Sequence, residues 1–140
     1  MFESSVLPVL QSDPELASYI TTYANLPAIF SDSVPEGAAM PYIVFRIERL
    51  GSNHLPIAQF VLYVDYWDYG TSKVKARKAA ERIEFLLDRK VLEHERYSTI
   101  RVSFFSGGTV PDDDPKEIHY NLQFSIRASR KKWMNEITKE

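Results

Sequence analysis

The sequence has no cysteine, so it can form no disulfide, no thiolate nucleophile and no cysteine-based zinc or iron–sulfur site. It also lacks an excess of one charge, because its formal net charge at pH 7 is −2. A dedicated nucleic-acid binder usually carries a strong basic excess, so the composition offers no support for that class. The absence of cysteine is compatible with a protein that remains in a reducing cytosol.

Long apolar runs are missing as well. No stretch approaches the roughly 18 residues needed to cross a bilayer. Residues 1–5 do not place a basic region before an apolar segment. We therefore expect neither a signal peptide nor a membrane-spanning helix, and no membrane partner.

The three histidines, His54, His94 and His119, lie far apart, with no pair at metal-ligand spacing. His94-Glu95 begins a zinc-protease motif, but Ser98 stands where the second histidine is required. We expect all three histidines at the surface. The sequence thus predicts no metal site.

Acid–base or nucleophilic chemistry has no better support. Asp65 and Asp68 bracket two aromatic residues, but strand residues three apart point to opposite faces, so we expect them at a strand end and a turn. No phosphate-binding glycine loop, nucleophile elbow or serine–histidine–acid set can be assembled. We expect a protein that is not an enzyme and needs no cofactor.

What is present is a pattern typical of one α+β domain. The 140 residues are 44% hydrophobic, and folding such a chain removes roughly two-thirds of its unfolded surface from water. Ser5 is predicted to cap a first helix with Pro8 in its opening turn, and Asp13-Pro14 to begin a second helix that ends before Asn25 to Pro27. We divide the chain into a domain, residues 1–130, and a charged tail, residues 131–140.

Four strands and one long helix follow. We expect strands from Tyr42, over residues 57–67 and 99–105, with Gly107-Gly108 ending the third, and over residues 117–129. A long helix capped by Thr71 or Ser72 repeats apolar residues at three and four positions. The predicted fold is N-terminal helices, β-hairpin, helix and β-hairpin, with a mostly antiparallel four-stranded sheet and the helix on one face.

Two of these strands have more apolar surface or free edge than a single small domain is expected to cover. Residues 57–67 are apolar on both faces, so we expect cover on both sides, from the domain's own helices or from a neighbouring subunit. The last strand would run about 43 Å, and an edge that outreaches its sheet can pair with another copy.

An acidic loop and a basic tail leave alternatives open. Asp112, Asp113 and Asp114 are compatible with a solvated turn, a contact to a basic partner or a hard cation, although the EF-hand spacing is missing. The basic, aromatic segment from Arg130 to Trp133 is compatible with a solvated tail, with contact to a nucleic-acid backbone, or with a clasp on an adjacent subunit.

Several segments, in this order, carry a resemblance to a known family. They are residues 28–30, residues 34–45, Gln59-Phe60 leading into residues 64–67, the alanine-rich helix, Gly107-Gly108, and residues 120–127. The chain resembles, over roughly residues 6–130, the tail-completion or tail-terminator proteins of long-tailed phages and prophages. It departs from them in its charged tail.

The resemblance implies a structural virion protein, assembled in the host bacterial cytoplasm and located in the neck region of the tail. It implies a six-membered ring on the head-proximal end of the tail tube, which stops tube growth and joins the tail to the head. The partners would be other copies of the chain, the tail tube protein, and a head connector or head-closure protein, with DNA passing through the lumen.

We place partner contacts on the two long loops, residues 50–56 and 107–116, and on the basic residues near the C-terminus. The candidate contact residues are Ser52, Asn53, His54, Leu55, Asp112, Asp113, Asp114, Arg127, Arg130 and Trp133. The alternatives are another neck component, such as a head-closure or connector protein, and a small nucleic-acid-binding module using Arg127, Arg130, Lys131 and Lys132.

Overall fold

The computed structural model describes residues 2–51 and 56–131. In chain order its elements are α1 (Glu3–Gln11), α2 (Pro14–Ala17), β1 (Thr22–Tyr23), β2 (Leu26–Pro27), β3 (Ile29–Ser31), β4 (Tyr42–Leu50), β5 (Ile57–Tyr69), α3 (Val74–Leu87), β6 (Val91–His94), β7 (Tyr97–Thr109) and β8 (Glu117–Arg130). Strands β1 and β2 form a small ladder of their own, and the other six strands form one sheet.

The six-stranded sheet has the order β3-β4-β5-β8-β7-β6 and curls into a half-barrel. Strand β3 runs parallel to β4, and every other neighbouring pair is antiparallel. The predicted α+β class is confirmed, but the four-stranded, mostly antiparallel sheet is wrong: the sheet is six-stranded and mixed. The two added strands hold only three and four residues, too few for an alternating pattern to be recognised.

Helix α3 has 14 residues and is about 21 Å long, whereas a strand of that length spans about 46 Å. The prediction of a long helix is therefore wrong, because the long strands of the sheet extend well beyond α3. The helix packs against β5, β7 and β8 through five buried residues at helical spacing: Ala76, Ala79, Ala80, Ile83 and Leu87. Its N-cap is Lys73, while Ser72 Oγ accepts a bond from the Val74 N–H at 3.3 Å.

The N-terminal helices differ from the prediction. Helix α1 begins at Glu3 and contains Pro8 in its interior. Asp13 and Pro14 do start α2, but this helix ends at Ala17. Thr21 then donates its N–H to the Pro41 carbonyl at 2.9 Å and its hydroxyl to the Ala39 carbonyl at 2.7 Å. These long-range bonds draw the chain away from a helical path.

The hydrophobic core lies between the helices and one face of the sheet. Its buried residues include Phe2, Val6 and Leu10 of the N-terminal segment, the apolar face of α3, and alternate residues of β4, β5, β7 and β8. Among the residues that the structure describes, Asp13 is the one buried charged side chain, and it caps α2 by accepting from the Leu16 N–H at 2.9 Å. Arg82 of α3 donates two bonds to the Asp13 carboxylate, at 2.7 and 2.8 Å, and so joins α2 to α3.

Gly107 and Gly108 lie inside β7 and do not end it, which corrects the prediction. A Cβ on Gly107 would lie 3.2 Å from the Phe104 ring. A larger residue at position 107 would require the ring to move by a few tenths of an ångström. An irregularity in register between Phe104 and Ser106 adjusts the pairing with β8. A close approach in the sheet, rather than a turn, explains the glycine.

Candidate interaction surface: the open face of the sheet

The side of the sheet away from the helices is the candidate interaction surface. The buried residues of α1, α2 and α3 all belong to the core cluster on the other side. We call this side the open face. Strand alternation assigns to it Tyr42, Val44, Arg46 and Glu48 of β4, Gln59, Val61, Tyr63, Asp65 and Trp67 of β5, Val91 of β6, Arg101 and Ser103 of β7, and His119, Asn121, Gln123, Ser125 and Arg127 of β8.

A connected polar network occupies the middle of the open face. His119 Nε2 lies 2.6 Å from Asp65 Oδ1, and Asn121 donates to the same oxygen at 2.8 Å. Gln123 donates to Asn121 Oδ1 at 3.1 Å. The Trp67 ring stacks on His119, with 3.8 Å between ring centroids and 12° between planes. The network orders the side chains before any partner arrives.

The open face has partial cover from its own side chains. Val61 is buried between its neighbours, while Tyr63 and Trp67 are half-buried. The Arg46 guanidinium lies over the Tyr63 ring, 4.1 Å from its centroid, and also pairs with Glu48. We expected cover on both faces of β5, and among the described residues only cross-strand neighbours supply it on this side.

The polar residues of the network correct two predictions. Asp65 lies in the middle of β5, not at a strand end. His119 is 16% exposed at its side chain and His94 packs edge-on against Phe2, so neither is a simple surface histidine. Asp65 and His119 meet only because the register places Asp65 beside Asn121 and Trp67 beside His119, a relation that spacing within one strand does not reveal.

Both edges of the sheet are partly free of strand partners. Strand β3 pairs only with Ile43, Val44 and Phe45, and β6 pairs only with residues 97–101. Within the described ranges, no strand pairs with the outer side of residues 46–50 in β4 or of residues 105–109 in β7. Such edges offer backbone groups to another chain.

The acidic loop, which we define as residues 110–116, joins β7 to β8 at one end of the sheet. Asp112 Oδ1 accepts from the Asp114 N–H at 3.1 Å, and Asp114 Oδ1 accepts from the Lys116 N–H at 2.9 Å. Asp112 and Asp113 are exposed. The negative charge of Asp114 raises the pKa of the Tyr69 phenol from its usual value. Two of the carboxylates therefore shape the loop, and Asp113 points its charge to solvent.

The predicted contact residues are not gathered at one place. Asp112, Asp113 and Asp114 lie in the acidic loop, whereas Arg127 is exposed near the other end of β8 and Arg130 ends that strand. Ser52, Asn53, His54, Leu55 and Trp133 lie outside the described residues. Sequence reasoning missed Arg101, Trp67 and the Asp65–His119 pair, because all three depend on strand register.

Other kinds of site find no support in the described part of the chain. Residues 2–51 and 56–131 contain no group of three or more histidine, aspartate or glutamate side chains placed to hold a metal ion. No helix in these ranges is both long and apolar enough to cross a membrane. A partly open sheet with partly unpaired edges and an ordered polar surface is typical of a protein that makes contacts with other macromolecules.

Comparison with known proteins agrees with that class. The family model described as tail completion protein gp17 matches residues 4–129. The chain therefore belongs to the tail completion protein gp17 family, and it is a structural protein of a phage tail. The sequence-based recognition of a tail-completion family is confirmed.

Solved structures share the fold. A chain of the virion of a native gene transfer agent particle superimposes with a TM-score of 0.74 at 18% identity, covering 91% of this chain and 93% of that one. A second structure superimposes with a TM-score of 0.62 at 10% identity, covering 90% and 95%. No curated protein matches the sequence.

Proposed function

We propose that the protein forms a ring, with six subunits, on the head-proximal end of the tail tube. There it stops polymerisation of the tube and presents the surface to which the head is joined. Its partners are other copies of itself, the tail tube protein, and a connector or head-closure protein, and DNA passes through the lumen. It acts in the virion neck after assembly in the host cytoplasm.

The observation that carries this proposal is the two-sided sheet. One face is filled by the protein's own helices, while the open face and the two strand edges are left for others. A ring subunit with neighbours on two sides and different partners above and below needs more contact surface than an ordinary monomer. Family membership and the fold shared with a virion chain support the same assignment.

Most of the large exposed apolar residues in the described part of the chain lie around the sheet, which supports contact areas there. Large apolar side chains exposed by more than a third lie on three parts of the molecule: Tyr23 and Leu26 on the small ladder, Val74 and Phe85 on α3, and Leu50, Ile57, Tyr69, Val91, Phe105 and Val110 around the sheet. Phe85 is the most exposed of them at 72%. We assign residues 1–130 to the ring domain and residues 131–140 to a tail that contacts a neighbour or the head.

Loss of the gene in the parent phage tests this function. Electron microscopy should show tubes of irregular, excessive length that fail to join heads, and purified protein should bind the ends of such tubes and restore joining. Tails of normal length with leaking heads would instead favour the head-closure alternative. DNA binding that is lost when Arg127, Arg130, Lys131 and Lys132 are neutralised would favour the nucleic-acid module.

A further inference from the structure

One row of side chains crosses the open face near the start of β5. The register places Leu50 beside Gln59, Gln59 beside Arg127, Arg127 beside Arg101, and Arg101 beside Val91. We call these five residues the arginine row, and all five are exposed. The row therefore runs over five strands with two cations at its centre.

The two arginines of this row stand directly opposite each other on neighbouring strands. Residues so placed in an antiparallel pair have Cβ atoms about 5 Å apart, and like charges there are destabilising. The salt bridges between described residues involve Arg46, Arg82 and His119, and none neutralises Arg101 or Arg127. An anion brought to the row would relieve this repulsion.

The protein carries such an anion at the other end of the same sheet. The acidic loop holds Asp112, Asp113 and Asp114, and Glu117 follows it directly. Ten residues of extended β8 separate Glu117 from Arg127, which corresponds to about 33 Å. Charges interact strongly only within a Debye length of about 8 Å. The acidic loop of one copy therefore cannot neutralise that copy's own arginine row.

Apolar surface accompanies the charges on both sides. Leu50 and Val91, at the two ends of the arginine row, are 48% and 56% exposed. On the loop, Val110 is 38% exposed and Pro111 is exposed beside Asp112. A contact that combines opposite charges with apolar neighbours matches the composition of specific interfaces.

We propose that the acidic loop of one copy docks on the arginine row of the next copy. This inference rests on the proposed ring and names its contact. Because the two patches are different surfaces of one chain, the contact is heterologous, and repeated heterologous contacts close into rings when the rotation allows. Glu48 and Asp65 lie on the same face, and a surface that mixes charges in this way suits a protein loop better than a polyphosphate.

Charge reversal tests the pairing. The variants R101E/R127E and D112K/D113K should each form rings on tube ends. Their affinity should be about tenfold or more below that of the wild type. A mixture of the two variants should recover binding. In a ring that alternates them, the normal acidic loop of R101E/R127E meets the normal arginine row of D112K/D113K, and the reversed loop of D112K/D113K meets the reversed row of R101E/R127E. The control K75E/R77E, with the same charge change on α3, should assemble normally.

The outcomes separate the contact from the function. If the wild type binds tube ends and both reversal variants do so equally well, the docking contact is wrong while the ring proposal stands. If the wild type binds no tubes, the ring proposal fails, and cross-linking then decides the contact alone. If R101E/R127E loses DNA binding while D112K/D113K assembles normally, the row is a DNA site and the docking proposal is overturned.

Cross-linking supplies the independent readout, since the chain has no native cysteine. Ser103→Cys lies beside the arginine row and Pro111→Cys lies in the acidic loop, about 26 Å apart in one chain by strand rise. A short bis-maleimide should therefore join only different copies, and the double variant should give a ladder of covalent oligomers at high concentration or on tubes. Pairing Ser103→Cys with Lys75→Cys is the control. No ladder from a folded double variant would overturn the contact.

Discussion

The two faces of the same strands in this protein serve different purposes. In β8, Leu122, Phe124 and Ile126 are buried on the core face, while the adjacent residues Asn121 and Gln123 remain half-exposed in a polar network. The core face stabilises the fold by removing apolar area from water. The open face holds ordered hydrogen-bonding groups and cations at the surface. Alternation along a strand therefore lets stability and contact be changed separately.

The largest expected effect is on the core face. Phe124→Ala should lower the free energy of unfolding by about 3–5 kcal/mol, because it removes a fully buried ring that contacts Phe104 edge-on. Ser125→Ala, one residue away on the open face, should change it by less than about 0.5 kcal/mol. Urea unfolding of both variants measures the difference, and equal losses would contradict the division between faces.

The second effect concerns the Arg82–Asp13 pair, which fixes the helices over the core face. Arg82→Met should lower the free energy of unfolding, by less than Phe124→Ala does, because it leaves a buried carboxylate without its two charged hydrogen bonds. Asp13→Asn retains an oxygen acceptor for the Leu16 N–H and is the matched variant for the cap. Urea unfolding at neutral pH measures both variants. If Arg82→Met has the same free energy of unfolding as the wild type, the pair does not stabilise the fold.

The same pair gives a pH dependence with a definite sign. The hydrogen bonds from Arg82 hold the pKa of Asp13 below its ordinary value of 3.8. The folded state therefore binds this proton less readily than the unfolded state. Its stabilisation is fully present above about pH 4 and is lost as the pH falls through the lowered pKa. Asp13→Asn should flatten this part of the acid unfolding curve, and an unchanged curve would contradict it.

A smaller effect is expected from the network on the open face. His119→Ala should lower the free energy of unfolding by about 1–2 kcal/mol, since it removes the contact to Asp65 and the stack on Trp67. His119→Phe keeps an aromatic ring on Trp67 and should recover part of the loss. If the phenylalanine variant is as unstable as the alanine variant, stacking contributes nothing.

The smallest effect on stability should accompany the largest effect on assembly. R101E should leave the free energy of unfolding within about 0.5 kcal/mol of wild type, because it replaces one member of an exposed like-charged pair by its opposite. The same change should weaken ring formation. Unfolding and tube binding measured on one preparation check this, and loss of both together would indicate misfolding.

The sequence predicts best what is encoded within single segments. The alternation of β8 placed its limits within one residue, and Asp13-Pro14 marked the start of α2. The sequence-based prediction is wrong where contacts outside the local segment determine the backbone conformation. Thr21 leaves the helical path through bonds to the segment before β4, and Gly107 stays in β7 because the Phe104 ring lies beneath it.

The candidate surface could be predicted only in part for the same reason. Charge and position suggest Arg127 and the acidic loop as candidate contact residues, and this remains a prediction. They do not suggest Arg101, because only the pairing of β7 with β8 brings it beside Arg127. The Asp65–His119 pair likewise joins residues 54 positions apart in the chain. Register is a property of the whole sheet, since it depends on how every strand meets the core.

The most direct test of the account is whether the open face becomes covered when the protein meets its tube. Single thiols at Ser103→Cys on the open face and at Lys75→Cys on α3 can be labelled by a maleimide, free and bound to purified tail tubes. We predict that binding protects Ser103→Cys strongly and Lys75→Cys far less. Equal labelling of Ser103→Cys in the free and bound states would contradict the claim that this face is where neighbouring subunits meet.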